Sequence, residues 1–341
     1  MTRVSVPVRA PEFPEDVTWL QGGPFKMQEL RGRPVLIDFW DYTCVNCLRT
    51  IPYLNEWNAR YSPYGLVIVG VHAPEFAFAR ERDHVGQAVK DLDIKYPVLL
   101  DNAYSMWDAY ANRYWPAKYL VDKDGYIRAY HFGEGAYAEV EGQLQSLIRE
   151  VSPKADLRQV MPAMREEDKP GAVCYRGTPE LYLGYGRGRI GNSDVWPDKA
   201  ASYREELMQR DGYAYLSGEW LLGKESLMRP ENASNESHLY LRYSAKEVNL
   251  VAHPPRQSGK LELLQDGHPL AAEDAGEDVA FEDGQGVVVV GQPRMYMLVN
   301  NREFDTHDLS ISTKSDGIGL YAFTFVSCVA ENVEERRAQA R

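Results

Sequence analysis

The stretch PVLIDFWDYTCVNCLRTIPYLNEW, Pro34 to Trp57, decides the fold. Pro34 to Trp40 is a short apolar run rich in strand formers, and Asp41-Tyr42-Thr43-Cys44 follows it at once. From Cys47 onward, Leu48, Ile51, Leu54, Trp57 and Tyr61 recur every three or four residues, the period of an amphipathic helix. Working outward, Leu66 to Val71 reads as a second buried strand, Val85, Val89 and Leu92 mark a helix, and Pro97 to Leu100 a third short strand. Lys118 to Val121 and Tyr126 to Phe132 form a hairpin across an Asp124-Gly125 turn. Tyr137, Val140, Leu144, Leu147 and Val151 give a closing helix. The order is βαβ, a further helix and strand, then ββα: an α/β layer structure over residues 15–152.

Residues 153–177 break this pattern. Prolines at 153, 162 and 170 and mixed charge without a sustained period read as a linker between domains. From 178 to 330 the runs are short and alternating: His238 to Ala245, Glu247 to Ala252, Lys260 to Leu264, Gly286 to Val290, Met295 to Val299 and Gly319 to Ala330. Turn signals such as Asp266-Gly267 and Asp283-Gly284 separate them, so the second domain is expected to be an all-β sandwich of jelly-roll type. The tail 331–341 is expected to be a solvated end.

Composition narrows the function. The 341 residues carry 38 Lys and Arg against 50 Asp and Glu, a formal charge of −12, with 44% apolar and 11% aromatic residues. That is ample material for buried cores. An acidic balance without a basic cluster speaks against a nucleic-acid partner, whose phosphates demand concentrated Lys and Arg. No stretch approaches the run of about 18 to 20 apolar residues that crosses a bilayer. The start lacks the apolar segment of a secretory signal. On those grounds the chain as it stands is expected in the cytoplasm.

The chemistry is concentrated at Cys44-Val45-Asn46-Cys47. Two cysteines three positions apart at a helix N-terminus can form a disulfide. Unpaired N–H groups and the helix dipole favour a thiolate on the first, and the thiolate is the form that attacks another disulfide. The second thiol then attacks the mixed disulfide and releases the reduced partner. The alternative is half of a zinc site, which needs four ligands. Cys174 and Cys328 are single and distant, and His72, His84 and His131 lack paired ligand spacing, so no metal is assigned.

With these residues the sequence resembles the thioredoxin superfamily. Asp38 lies six residues before the first cysteine, where thioredoxins keep a buried carboxylate, and Pro52 falls where their active-site helix is kinked. Trp115-Pro116, just before KYLVD, looks like the cis-proline that faces the disulfide in this fold. The stretches FWDYTCVNCLRTIPYLNEW, GLVIVGVHAPEFAF and NRYWPAKYLVDKDG resemble the TlpA/DipZ-type branch. In particular they resemble the part of DipZ proteins in which a thioredoxin domain precedes a carbohydrate-binding-module-like β domain. The resemblance spans residues 15 to 330, and it makes an extracytoplasmic location the alternative. DipZ proteins carry a membrane electron-transfer segment ahead of this part, which this chain as given does not show, so the electron donor is unidentified. Many TlpA-like proteins carry a Glu where this chain has Thr50, so Asp38 is expected to relay the proton.

The resemblance thus implies a thiol–disulfide oxidoreductase that reduces protein disulfides through a redox-active Cys44–Cys47 disulfide, with no metal or organic cofactor. Asp38 takes the proton of Cys47 in this reading, and otherwise is a strand-end hydrogen-bonding group. Trp115 and Pro116 are expected to meet the substrate, and Trp40 and Tyr42 either line the same surface or pack in the core. Cys174 and Cys328 either pair or remain free and buried. The run Gly184 to Gly191 reads as a loop, since no strand precedes it and no helix follows. Tyr182, Tyr185, Tyr213, Tyr215, Tyr240, Tyr243 and Tyr296 leave open a carbohydrate or protein ligand for the β domain. Two rival functions stand beside this one: a thiol peroxidase of peroxiredoxin type, against which the Thr43–Cys44 spacing counts, and a glycan- or partner-binding protein with a vestigial C-x-x-C.

Overall fold

The protein is described by a computed structural model over residues 1–330; the tail expected at 331–341 lies outside the described residues. The chain divides into two compact units, Met1–Asp168 and Lys169 onward.

The first unit is built on strands β1 (Thr2–Arg9), β2 (Thr18–Gln21), β3 (Val35–Trp40), β4 (Val67–His72), β5 (Val98–Leu100), β6 (Ala117–Val121) and β7 (Tyr126–Phe132). Helices α1 (Val45–Tyr61), α2 (Arg82–Asp91), α3 (Ser105–Ala109) and α4 (Tyr137–Val151) accompany them. The strands form one sheet in the order β1-β7-β6-β3-β4-β5-β2. β3, β4 and β5 run parallel, while β6 is antiparallel to β3 and β7 to β6. All six residues of β3 are buried, as a central strand covered on both faces requires. Val35, Ile37 and Phe39 enter a core with Val67, Val69, Val71, Leu99, Ala117 and Tyr119. Leu36, Asp38 and Trp40 therefore point to the opposite face.

This is the thioredoxin arrangement the sequence implies, with two additions. β1 pairs with β7 and β2 with β5, so the sheet begins well before residue 15. The beginning of the expected linker also belongs to this unit. Met161 is buried and its N–H donates to the Glu141 carboxylate at 2.8 Å, and Gln145 Nε2 donates to the Arg158 carbonyl at 2.8 Å. An irregular segment without periodicity is held here by buried polar groups of α4.

The second unit contains β8 (Val173–Cys174), β9 (Leu181–Tyr182), β10 (Ala200–Tyr203), β11 (Ala214–Leu222), β12 (Leu227–Met228), β13 (Ser237–His253) and β14 (Gly259–Gln265). It continues with β15 (His268–Pro269), β16 (Val279–Glu282), β17 (Gln285–Val290), β18 (Arg294–Thr313), β19 (Gly319–Val326) and β20 (Cys328–Val329). All but β8 and β20 join one antiparallel network. The all-β sandwich is organised by two long strands. β13 pairs with β11 through His238–Leu241 and with β19 from Glu247 to His253, while β18 follows it along both halves. The partner exchange coincides with a register break between Ala245 and Glu247, the kind of irregularity that bends a strand.

Tyr215, Tyr243 and Tyr296 lie in this core, whereas Tyr185 is exposed. Gly191 is required by packing: a Cβ there would lie 2.3 Å from the Tyr215 ring. Cys174 and Cys328 are directly opposed on β8 and β20 and form a disulfide, so they are neither free nor buried. A pairing across 154 residues could not be read from spacing.

Candidate active site

Cys44 is the N-cap of α1, held in an extended conformation (φ −87°, ψ 112°). Its carbonyl accepts from the N–H groups of Cys47 and Leu48, both at 3.0 Å, and its Sγ accepts from the Cys47 N–H at 3.3 Å. The loop before it is fixed by Asp41. That carboxylate accepts from the Thr43 N–H at 2.6 Å, from the Thr43 hydroxyl at 2.5 Å, and from the Glu75 N–H at 2.8 Å. Cys44 is half-buried, whereas Cys47 is 1% exposed beneath it. Only the first sulfur can meet a macromolecular partner.

The electrostatics differ from the expectation of a stabilised Cys44 thiolate. Burial pushes the Cys44 thiol above its ordinary value and outweighs the Cys47 hydrogen bonds that lower it; Glu75 and Asp41 push it further up. Burial pushes Cys47 well up, with Cys44 and Asp38 adding to the effect. Asp38 is buried to 1% exposure, and burial raises its carboxyl to about 7 against the opposing pull of Lys118. Its Oδ1 is buried without a hydrogen-bond partner. A carboxyl poised near neutrality beside a high thiol is suited to exchange a proton with it.

Ala117 pairs with Phe39, which brings Trp115-Pro116 to the same edge of the sheet as the Asp41–Cys44 loop. The Trp115–Pro116 bond is cis. Trp115 is half-buried, its ring lies 4.3 Å from that of Trp107, and its Nε1 donates to the Ala73 carbonyl at 2.9 Å. Trp40 and Tyr42 do not line this surface: they are 0% and 4% exposed and pack on His72, Trp40 edge-on and Tyr42 stacked. Gly70 makes this packing possible, since a Cβ would stand 3.1 Å from both Trp40 Nε1 and the Tyr96 ring.

Lys118, His72, Asp41 and Glu75 were not singled out as site residues by the sequence pattern. For Lys118 a signal existed. In the buried run Ala117–Val121 it occupies an alternate, inward-facing position where a charge is costly. His72 is buried beside Asp41, its Nε2 3.7 Å from the carboxylate, and burial holds its ring down at about 3, so it is neutral. Thr50 is buried and its hydroxyl donates to the Asn46 carbonyl at 2.9 Å, a helical role without acid–base function.

Comparison with known proteins finds matches to both domains. The AhpC/TSA family matches residues 6–130, and the Thioredoxin like C-terminal domain matches residues 178–325. Protein DipZ of Mycobacterium tuberculosis is 31% identical over 320 residues, 93% of this chain. The chain spans only 42% of DipZ. Thiol-disulfide oxidoreductase ResA of Bacillus cereus is 31% identical over 145 residues, 42% of this chain and 80% of ResA. A solved structure of a putative thiol:disulfide interchange protein DsbE from Chlorobium tepidum is 22% identical, with a TM-score of 0.36, and covers 41% of this chain and 95% of its own. Through its first domain, the chain belongs to the thioredoxin-like family of thiol–disulfide oxidoreductases.

Proposed function

We propose that the protein reduces protein disulfides through the Cys44–Cys47 couple. The observation that carries this reading is the pairing of a half-buried N-cap sulfur with a fully buried one three residues on. The Cys44 thiolate attacks one sulfur of a client disulfide. The client S–S bond breaks, a Cys44–client bond forms, and the other client sulfur leaves and takes up a proton. Cys47 then passes its proton to Asp38 and attacks Cys44 Sγ. The second client sulfur departs as a thiolate, and the client has gained the two electrons lost by the dithiol. A dithiol donor must restore the pair.

Burial supports the reducing direction. Strong oxidants of this kind stabilise their reduced form. Here burial and nearby carboxylates disfavour both thiolates, so the reduced form gains no such help. The peroxidase alternative gains no support from Thr43, whose hydroxyl is committed to Asp41. Pro116 and Trp115 flank the client's approach in this reading. The Cys174–Cys328 disulfide favours an oxidising, extracytoplasmic compartment over the cytoplasm expected from the sequence. In the second domain, exposed Tyr185 and Trp196 are the rings on which a carbohydrate or a protein ligand would stack.

The test is a trapping experiment with a disulfide-bonded client. Cys47→Ser should accumulate a covalent client adduct that dithiothreitol releases, and Cys44→Ser should form none. An adduct with Cys44→Ser, or none with Cys47→Ser, would refute the assigned order of attack.

A further inference from the structure

The register of the first sheet places three ionisable side chains in one row. Asp38 of β3 is directly opposite Lys118 of β6, and Lys118 is directly opposite His131 of β7. Directly opposed residues on neighbouring antiparallel strands share a face, with Cβ atoms about 4.5–5.5 Å apart at each step. The row runs outward: Asp38 and Lys118 are 1% and 0% exposed, and His131 is half-buried. Beyond Asp38 on the other side the row ends at Gly70 and Val98, which offer no polar group.

The outer end is organised by the loop after β7. Lys118 Nζ is 3.5 Å from the Gly133 carbonyl, and the His131 Nε2 is 3.1 Å from the Glu134 carbonyl. The charged and titratable groups facing Lys118 are Asp38 from β3, Cys47 and Cys44 from α1, and Glu134. Those facing His131 are Lys118, the Met1 amine and Glu139 of α4. Burial lowers both Lys118 and His131 from their ordinary values, which leaves each ready to give up a proton.

Resolution by Cys47 creates a problem that the two thiols and Asp38 cannot solve alone. Cys47 can pass its proton only to an ionised Asp38, and near neutrality this carboxyl, 1% exposed and raised to about 7, must first lose the proton it already holds to water. We propose that Lys118 and His131 are the exit for this proton, an inference that rests on Asp38 being the acceptor from Cys47. The Lys118 ammonium hands a proton to the neutral His131 imidazole and takes up the one held by Asp38. His131 then releases its proton to solvent. One proton moves from Asp38 to water, no electron moves in these steps, Lys118 and His131 return to their starting charges, and Asp38 is left ionised to accept the proton of Cys47. Both are relay residues that touch no client.

The experiment mixes the reduced full chain rapidly with 5,5′-dithiobis(2-nitrobenzoate). The first thionitrobenzoate released reports attack by Cys44, and the second reports resolution by Cys47. His131→Ala should slow the second phase tenfold or more near pH 7, and added imidazole should restore it. Lys118→Met should slow the second phase as well, without a response to imidazole. A second phase in His131→Ala equal to that of the parent would overturn the proposal. So would a slowing shared equally by both phases and indifferent to imidazole, which marks a structural role. If the unmodified chain itself lacks a second phase, the dithiol reading fails instead, so the two failures are separable.

Discussion

The two domains differ in how they treat several of their largest buried rings. In the second domain Trp220 Nε1 donates to the carbonyls of Ser217 and His238, at 3.0 and 3.1 Å. Tyr243 donates to Gln265 at 2.8 Å and accepts from Asn301 at 3.1 Å, and Tyr296 donates to the Gln292 carbonyl at 2.7 Å. In the first domain Trp40 Nε1, Trp57 Nε1, the Tyr96 hydroxyl, Asp38 Oδ1 and both ring nitrogens of His72 are buried without a hydrogen-bond partner. The second domain has exceptions, such as Asn249 and Thr324, which oppose each other on β13 and β19. Each unsatisfied group costs about 1–3 kcal/mol. In the first domain part of that cost falls on Asp38, whose unpartnered Oδ1 is available to take a proton. The second domain satisfies the polar atoms of Trp220, Tyr243 and Tyr296 within its core, as a scaffold does.

This contrast can be broken at its strongest points. Trp220→Ala removes a large packed side chain and orphans two carbonyls, so it should destabilise the second domain by about 3–5 kcal/mol in denaturant titration. It should leave the rate of thiol exchange unchanged, and a slower exchange would show that the scaffold is not independent of the chemistry.

Asp38→Asn should have the opposite sign. The folded carboxyl at about 7 lies above its ordinary 3.8, so its contribution to stability is full below about pH 3.8 and is lost as pH rises through about 7. The variant removes that loss, so its advantage over the parent should grow between pH 4 and 7 to about 4 kcal/mol at pH 8. His72 acts in the other direction. Its folded value of about 3 lies below its ordinary 6.5, so stability is present above 6.5 and is lost as pH falls towards 3. The slope that remains in Asp38→Asn should therefore rise with pH. Denaturant titrations across this range check both signs, and an advantage independent of pH would contradict the buried carboxylate.

The smallest effects make a matched pair. Tyr243→Phe breaks a satisfied network and should cost about 1 kcal/mol. Tyr96→Phe removes a hydroxyl that has no partner and should be neutral or stabilising. Equal losses from both would erase the contrast.

What the sequence made legible follows the range of each interaction. The β3–α1 junction, its two cysteines and the β6–β7 hairpin rest on local periodicity and turn chemistry, and all three stand in the structure. β1 and β2 leave little trace in the sequence because Thr2–Arg9 contains Pro7 and is mostly exposed, and Thr18–Gln21 is only four residues long. Both exist by pairing with distant strands. β13 reads as two strands because its register break falls at Lys246, the residue that separates the two runs. At the site, Cys44, Cys47 and Asp38 come together, and Trp115-Pro116 lies at the same edge. Trp40 and Tyr42 turn inward, since alternation along β3 and the space left by Gly70 carry their rings under the loop. Lys118 and His131 needed the strand register, which no single segment reveals.

The central claim is that burial makes Cys44–Cys47 a reducing couple, and its reduction potential tests that most directly. Equilibration of the full chain against dithiothreitol and glutathione buffers, with the dithiol quantified by alkylation, should give a value near that of thioredoxin, roughly −270 mV. A value towards −120 mV, that of a strong oxidant with a stabilised reduced form, would contradict the account.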